Sequence, residues 1–157
     1  SAGADKITIN TAAVMNPDLI NQVTDKTGRQ CIVVAVDIKK IDEDYFVFTH
    51  GGRKRTDIKA IDWCVECQER GAGELLVTSM DKDGTKSGFD INILSQISKI
   101  TNIPIIASGG AGDLSHFHDA IKLGEVDAVL AASVFHFGEY SIHQVKNFLK
   151  DKGIFMR

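Results

Sequence analysis

Short apolar runs alternate with amphipathic stretches of about ten to fifteen residues from one end of the chain to the other, the pattern of βα units feeding a parallel sheet. It predicts five strands. The first is Asp5–Asn10, followed by a helix that Asn16 caps, Pro17 opens and Gly28 stops. The second, Cys31–Asp37, is a run of β-branched residues suited to a strand covered on both faces. Between it and its helix, Tyr45–Thr49, the turn His50-Gly51-Gly52 and Arg53–Thr56 read as an inserted β-hairpin. Asp57–Arg70 is an amphipathic helix ending before Gly71 and Gly73. Glu74–Ser79 is the third strand, followed by a polar loop over Met80–Gly88 and a helix over Asp90–Thr101. The fourth and fifth strands are Pro104–Ser108 and Asp127–Ala131, with a helix over Asp113–Leu123 between them. A short helix over Ser133–Phe137 and a last amphipathic one over Ser141–Lys152 complete the pattern.

The fourth and fifth strands end alike. One runs into Gly109-Gly110-Ala111-Gly112, the other into Ala132-Ser133. Residues with almost no side chain leave backbone N–H groups bare where a following helix points its positive end, and a phosphate dianion binds there without a lysine. At the closing edge of a parallel barrel, two such strands form the phosphate site that the loops after strands 7 and 8 build with a short extra helix. The pattern therefore points to a phosphate-ester enzyme. A closed barrel takes eight strands, whereas five make an open doubly wound sheet or part of a barrel. A chain that begins on Ala-Gly-Ala-Asp-Lys at a strand reads as one entered midway.

Bulk properties narrow the classes. With 157 residues, 43% hydrophobic and 25% charged, residues 1–157 are expected to form a single soluble domain. A formal charge of −3 and a pI near 5.9 argue against a nucleic-acid partner, and only Arg53-Lys54-Arg55 forms a basic run. No apolar stretch approaches the roughly 18 residues of a membrane span and no secretion signal opens the chain, so no membrane partner and a cytoplasmic location are expected. Three cysteines do not make a disulfide framework, which fits a reducing compartment.

In βα proteins the active face lies at the carboxyl ends of the strands. Asp37 ends an otherwise apolar strand, where a carboxylate is solvated, paired or used as a general acid or base. A turn cap, or a partner for Lys39 or Lys40, is the plainer alternative. Asn10-Thr11 closes the first strand and Thr78-Ser79 the third with hydrogen-bonding groups, suited to a substrate or to ordinary turn capping. Met80–Thr85 is a polar loop whose Gly84 lets a backbone approach a ligand. Asp81 and Asp83 resemble the start of an EF-hand, but the twelfth residue is Asn92 and the glycine falls at position four. Cys64 and Cys67 have redox or zinc-like spacing, yet they lie within a helix and no second ligand pair exists, so core thiols are expected. His136, between Phe135 and Phe137, reads as a packed histidine. Neither a cofactor nor a metal is implied.

The stretches Asp5-Lys-Ile-Thr-Ile-Asn-Thr-Ala-Ala13, Val34-Ala-Val-Asp37, Leu76-Val-Thr-Ser-Met-Asp-Lys-Asp-Gly-Thr-Lys-Ser-Gly88, Ile105-Ile-Ala-Ser-Gly-Gly-Ala-Gly112 and Leu130-Ala-Ala-Ser-Val-Phe-His-Phe137 occur in that order. Together they resemble the cyclase subunit of imidazole glycerol phosphate synthase, the HisF type, in histidine biosynthesis. The resemblance covers the whole chain and implies the C-terminal five units, strands four to eight, of a (βα)8 TIM barrel. It implies a lyase that takes ammonia from a glutaminase subunit and converts a bis-phosphorylated aminoimidazole carboxamide ribonucleotide into imidazole glycerol phosphate and AICAR, the carboxamide by-product. By the same resemblance Asp37 is one of two catalytic aspartates, the other belonging to strand one of the barrel. Asn10 and Thr11 would hold one phosphate, and Asp83, Gly84, Gly110, Ala132 and Ser133 would surround the other; the strand-end pattern itself adds Thr78 and Gly109 as candidate substrate or phosphate contacts. Lys6 and Glu74 would form half of a charged ammonia gate, and Asp5 a contact with the glutaminase.

One carboxylate cannot do the work of two opposed ones, so the expectation is a fragment that binds phosphate and is inactive alone. The open edges of its first and last strands predict self-association or pairing with the missing N-terminal half-barrel. Three rivals stand beside this reading. They are the sister phosphoribosyl isomerase of the same pathway, a non-catalytic phosphate-binding half-barrel, and a self-contained flavodoxin-like sheet.

Overall fold

Five parallel strands run side by side through the chain: β1 (Ile7–Ile9), β2 (Ile32–Ile41), β5 (Glu74–Ser79), β6 (Ile105–Ser108) and β7 (Ala128–Leu130). The computed structural model describes residue 3, residues 5–136 and residues 138–156, without the side chains of Ser133 and His136. Strand β2 is long enough to serve two partners on one edge. Its first residues pair with β1, as Ile7 with Ile32, and its last with the antiparallel β3 (Asp44–Thr49), as Asp37 with Phe48. Strand β3 in turn pairs antiparallel with β4 (Lys54–Lys59).

The helices are α1 (Thr11–Met15), α2 (Asp18–Thr27), α3 (Ala60–Arg70), α4 (Ile91–Ile100), α5 (Leu114–Lys122), α6 (Ser133–His136) and α7 (Ile142–Asp151). They cover one face of the sheet. In β2 the residues Ile32, Val34, Val36 and Ile38 are fully buried, as are Leu75 and Val77 in β5 and Ile105 and Ala107 in β6. Parallel register places these side chains on the same face. Against them lie Trp63, Cys64 and Cys67 of α3, Ile93, Leu94 and Ile97 of α4, Phe117 and Ala120 of α5, and Val145 and Leu149 of α7. Each large side chain buried in this layer contributes roughly 1.5–3 kcal/mol.

The alternate residues face the other way. Glu74, Leu76, Thr78, Ile106, Ser108 and Ala128 are only half-buried, and Leu130 is 44% exposed. A doubly wound sheet carries helices on both faces, whereas a barrel carries them on its outside alone. The single helical layer on a parallel-dominated sheet fits part of a TIM-barrel-like fold.

Several boundaries differ from the sequence expectation. Strand β2 starts at Ile32, because Cys31 closes a 3-10 turn, and continues past Asp37 to Ile41 because β3 offers it a ladder. Residues 57–59, expected as the first helical turn, extend β4 instead, with Lys59 opposite Phe46 across an irregular register and the Thr56 hydroxyl donating to the Val47 carbonyl at 2.7 Å. Asn16 does not cap α2 through its side chain; its carbonyl accepts from the Leu19 N–H at 3.0 Å, and Pro17 takes the cap position. The short α1 was not legible, its five residues being too few for a period. Phe137, expected to end the short helix after β7, lies outside the described residues, while α7 begins one residue after Ser141, which caps it in a reciprocal box with Gln144.

Three contacts, one each from β2, from β3 and from the turn after β3, tie this antiparallel extension to segments at the carboxyl ends of the parallel strands. The His50 N–H donates to Thr11 Oγ1 at 3.0 Å, the Lys40 N–H to Asp81 Oδ2 at 2.7 Å, and the Tyr45 hydroxyl to Asp90 Oδ1 at 3.0 Å. Burial, reinforced by the Asp90 charge, pushes the Tyr45 phenol up to about 12.

Candidate functional site

The strand register alone brings the first residues of the site together. Asp37 stands opposite Thr78, Thr78 opposite Ser108, and Ser108 opposite Leu130, a row across four strands on the face without helices. Because paired residues of parallel strands share a face, three hydrogen-bonding side chains line one level at the carboxyl ends of β5 and β6. The Asn10 amide donates to Asp37 Oδ2 at 3.1 Å, so the end of β1 reaches the same carboxylate. Asn10 Oδ1 is buried without a partner among the described residues. Thr11 is the other anchor of this side. Its oxygen accepts the His50 N–H, and a hydroxyl that accepts one bond can still donate its own proton to another group.

Asp37 is not paired with its neighbouring lysines. Lys39 lies over the Phe48 ring, 5.2 Å from the centroid, and Lys40 over Tyr45 at 6.0 Å. A carboxylate held by one amide beside Phe48, its cross-strand neighbour, retains free acceptor positions for a proton. Ser79 takes no part in this face. It is buried on the helical side, its hydroxyl 3.5 Å from Asp90 Oδ2.

A pocket of about 140 Å³ opens beside the row, lined by Asp83, Gly84, Ser108, Gly109, Gly110, Ala111, Leu130, Ala131 and Ala132. The sequence singled out Asp83, Gly84, Gly109, Gly110 and Ala132 of these. It missed Ser108, although the register with Thr78 was a signal that only a correct strand pairing could have exposed. Among the described residues, the N–H groups of Gly110, Ala111 and Ala132 make no hydrogen bond within the protein. Ser133 begins α6 directly after the pocket; its side chain lies outside the described residues.

The glycines here serve the backbone first. A Cβ on Gly110 would sit 2.0 Å from the Gly88 carbonyl oxygen, one on Gly109 2.6 Å from that of Ser79, and φ is +113° and +90° at the two positions. The loop of residues 80–88 thus lies directly on residues 109–112, with the Gly88 N–H donating to the Gly110 carbonyl at 2.7 Å. Side chains at these positions would push one wall off the other. Gly84, by contrast, faces open space.

At the opposite ends of the strands, Lys6 and Glu74 form an ion pair, and Asp5 is exposed beside them. Cys64 and Cys67 are buried in the core; burial alone pushes the Cys64 thiol up to about 12 and raises that of Cys67 as well. Neither is a nucleophile at neutral pH. No cluster of three or more His, Cys, Asp or Glu side chains suited to a metal occurs among the described residues, and none of their helices is long and apolar enough to cross a membrane.

A model of the histidine biosynthesis protein family matches residues 1–141. Imidazole glycerol phosphate synthase subunit HisF of Chlorobium phaeobacteroides is 52% identical over 155 residues, covering 99% of this chain and 62% of that protein. The subunits HisF of Pelodictyon phaeoclathratiforme and Natranaerobius thermophilus are 54% and 53% identical, with the same coverage. The chain therefore spans 62% of the length of these relatives. It belongs to the histidine biosynthesis protein family, and within that family it is similar to subunit HisF of imidazole glycerol phosphate synthase.

Proposed function

We propose that these 157 residues form strands four to eight of a (βα)8 barrel, with β3 and β4 as a hairpin inserted after the second of them, and that they carry the phosphate sites of a cyclase in histidine biosynthesis. One observation carries this reading: Asp37, Thr78 and Ser108 stand in a row on the helix-free face, next to a pocket whose amides are bare. The substrate is a bis-phosphorylated aminoimidazole carboxamide ribonucleotide. One phosphate takes N–H groups from Gly110, Ala111, Ala132 and Ser133, and the other the side chains of Asn10 and Thr11. A carboxylate repels a phosphate, so Asp83 accepts instead from a hydroxyl of the sugar or glycerol backbone.

Asp37 acts as the general acid or base. It is within hydrogen-bond reach of Asn10, which orients its carboxylate and leaves an oxygen for the substrate proton. The reaction adds ammonia, closes the imidazole ring and expels the carboxamide ribonucleotide, and proton transfers on opposite sides of the substrate need a second carboxylate. That partner is absent from the row described here, so the chain alone binds phosphate without turnover. Ammonia arrives from a glutaminase subunit through the amino ends of the strands, past Lys6 and Glu74, with Asp5 at the docking face.

The test is reconstitution. The chain is mixed with a polypeptide carrying the first three βα units of a HisF subunit, and ammonia-dependent formation of imidazole glycerol phosphate and AICAR is followed. Turnover that Asp37→Asn removes supports the reading. Isomerisation of the substrate's precursor in its place would assign the sister isomerase, and phosphate binding that never gains turnover would leave a non-catalytic half-barrel.

A further inference from the structure

We infer that His116 is a positioning residue that locks the two walls of the phosphate pocket together, and that it does so only as a neutral ring. The inference rests on the phosphate reading of that pocket. His116 is the third residue of α5, partly buried, and its Nδ1 accepts two backbone N–H groups, from Gly112 at 3.0 Å and Asp113 at 3.1 Å. A glutamate or glutamine ordinarily closes such a capping box. Here the closing group is an imidazole, and an imidazole that accepts at Nδ1 must carry its single proton on Nε2.

The ring also bridges the walls. Its Cδ2 and Nε2 edge lies against Gly88, where an added Cβ would stand 3.4 and 3.6 Å from those atoms. Gly88 holds the Gly110 carbonyl, and a Cβ on Gly112 would meet the Lys86 carbonyl oxygen at 2.3 Å. His116 is therefore wedged between the loop of residues 80–88 and the turn of residues 109–112, which between them supply Asp83, Gly84, Gly109, Gly110 and Ala111 to the pocket.

A proton on Nδ1 turns an acceptor facing two donors into a third donor. Both cap bonds are lost at once and the Gly112–Asp113 corner is pushed off the ring. Among the described residues, the charged or titratable groups at this corner include Asp113, which accepts from the Leu114 N–H at 2.6 Å; Tyr140, whose hydroxyl donates to Asp113 at 3.4 Å; Lys82 and Lys86, which lie beside Gly110 and Gly112 from the facing loop; and Glu139, paired with Lys86. The pocket should accordingly weaken toward an anion on acidification, against the simple expectation that an added positive charge attracts one.

Sulfate is the probe, because it stays a dianion where phosphate itself takes up a proton. Binding to the 157-residue chain is measured by titration calorimetry at pH 8 and pH 5, with amide NMR shifts of Gly112 and Asp113 followed across the same range. The expected result is a roughly tenfold loss of sulfate affinity at pH 5, the order of one to two hydrogen bonds. His116→Gln keeps an untitratable acceptor and should bind at both pH values as the parent does at pH 8, with no step in the two amide shifts. A parent profile without the loss, or the same loss in His116→Gln, would overturn the positioning role. No sulfate binding by the parent at pH 8 would overturn the phosphate reading of the pocket and this inference with it.

Discussion

Asp37 shows how much a single side chain owes to its row. Its carboxylate meets Asn10 just after β1, faces Phe48 across the antiparallel ladder and is only half-buried, so a change of charge there disturbs packing little. In the reconstituted barrel, Asp37→Asn should lower turnover by roughly a hundredfold or more, the usual worth of a general acid or base, with the melting temperature little changed. Steady-state rates beside a thermal melt check this. Gly110 is the opposite case. With φ at +113° and the Gly88 oxygen 2.0 Å from a built Cβ, Gly110→Ala should cost about 1–3 kcal/mol in urea unfolding and weaken phosphate binding together with it. The cysteines give a third residue-scale expectation. Burial raises the Cys64 thiol from its ordinary 9 to about 12, so the folded protein holds that proton more tightly than the unfolded chain does. The sign follows: the stabilisation is complete below about pH 9 and is lost as pH rises toward 12. At neutral pH a disulfide reagent should label the partly exposed Cys31 in the native protein, and Cys64 and Cys67 only after denaturant is added.

Among the elements, the loop of residues 80–88 does more than connect β5 to α4. It rests on the glycine turn after β6, is tied to β2 by the Lys40 N–H on Asp81, and forms one wall of the pocket. Asp81→Ala should cost about 1 kcal/mol and speed amide hydrogen exchange of residues 80–88 while leaving the protection of β5 and β6 unchanged. Most elements were legible because each carries its own punctuation, such as the Gly71 stop of α3, the Asp113 cap of α5 and the Ser141 box of α7. The failures came where a neighbour in space outvoted the local pattern. Residues 57–59 fit a helix by spacing, but β3 supplied ladder partners; β2 outran Asp37 for the same reason. Ser108 went unnoticed as a site residue because its meaning comes from Thr78, about thirty positions earlier, to which only the strand register joins it.

On the scale of the whole molecule, the two faces of the sheet differ. One is sealed by helices, while the other leaves Leu76, Ile106, Ala128 and Leu130 only partly covered and β1 and β7 at the ends of the parallel row. Exposed apolar area of this kind and unpaired edges favour association. The chain mixed with the first three βα units of a HisF subunit should sediment as a one-to-one complex and melt higher than alone; failure to associate would count against the barrel reading. What the sequence determined by itself was the order of the βα units, the small-residue endings of β6 and β7 and the family resemblance, because these live in local periodicity and in residue type. Tertiary structure alone decided that Asp37, Thr78 and Ser108 share a level, and that Gly109 and Gly110 lie hard against neighbouring carbonyls. Such facts depend on register and close approach between segments far apart in the chain, and no local pattern encodes a distance.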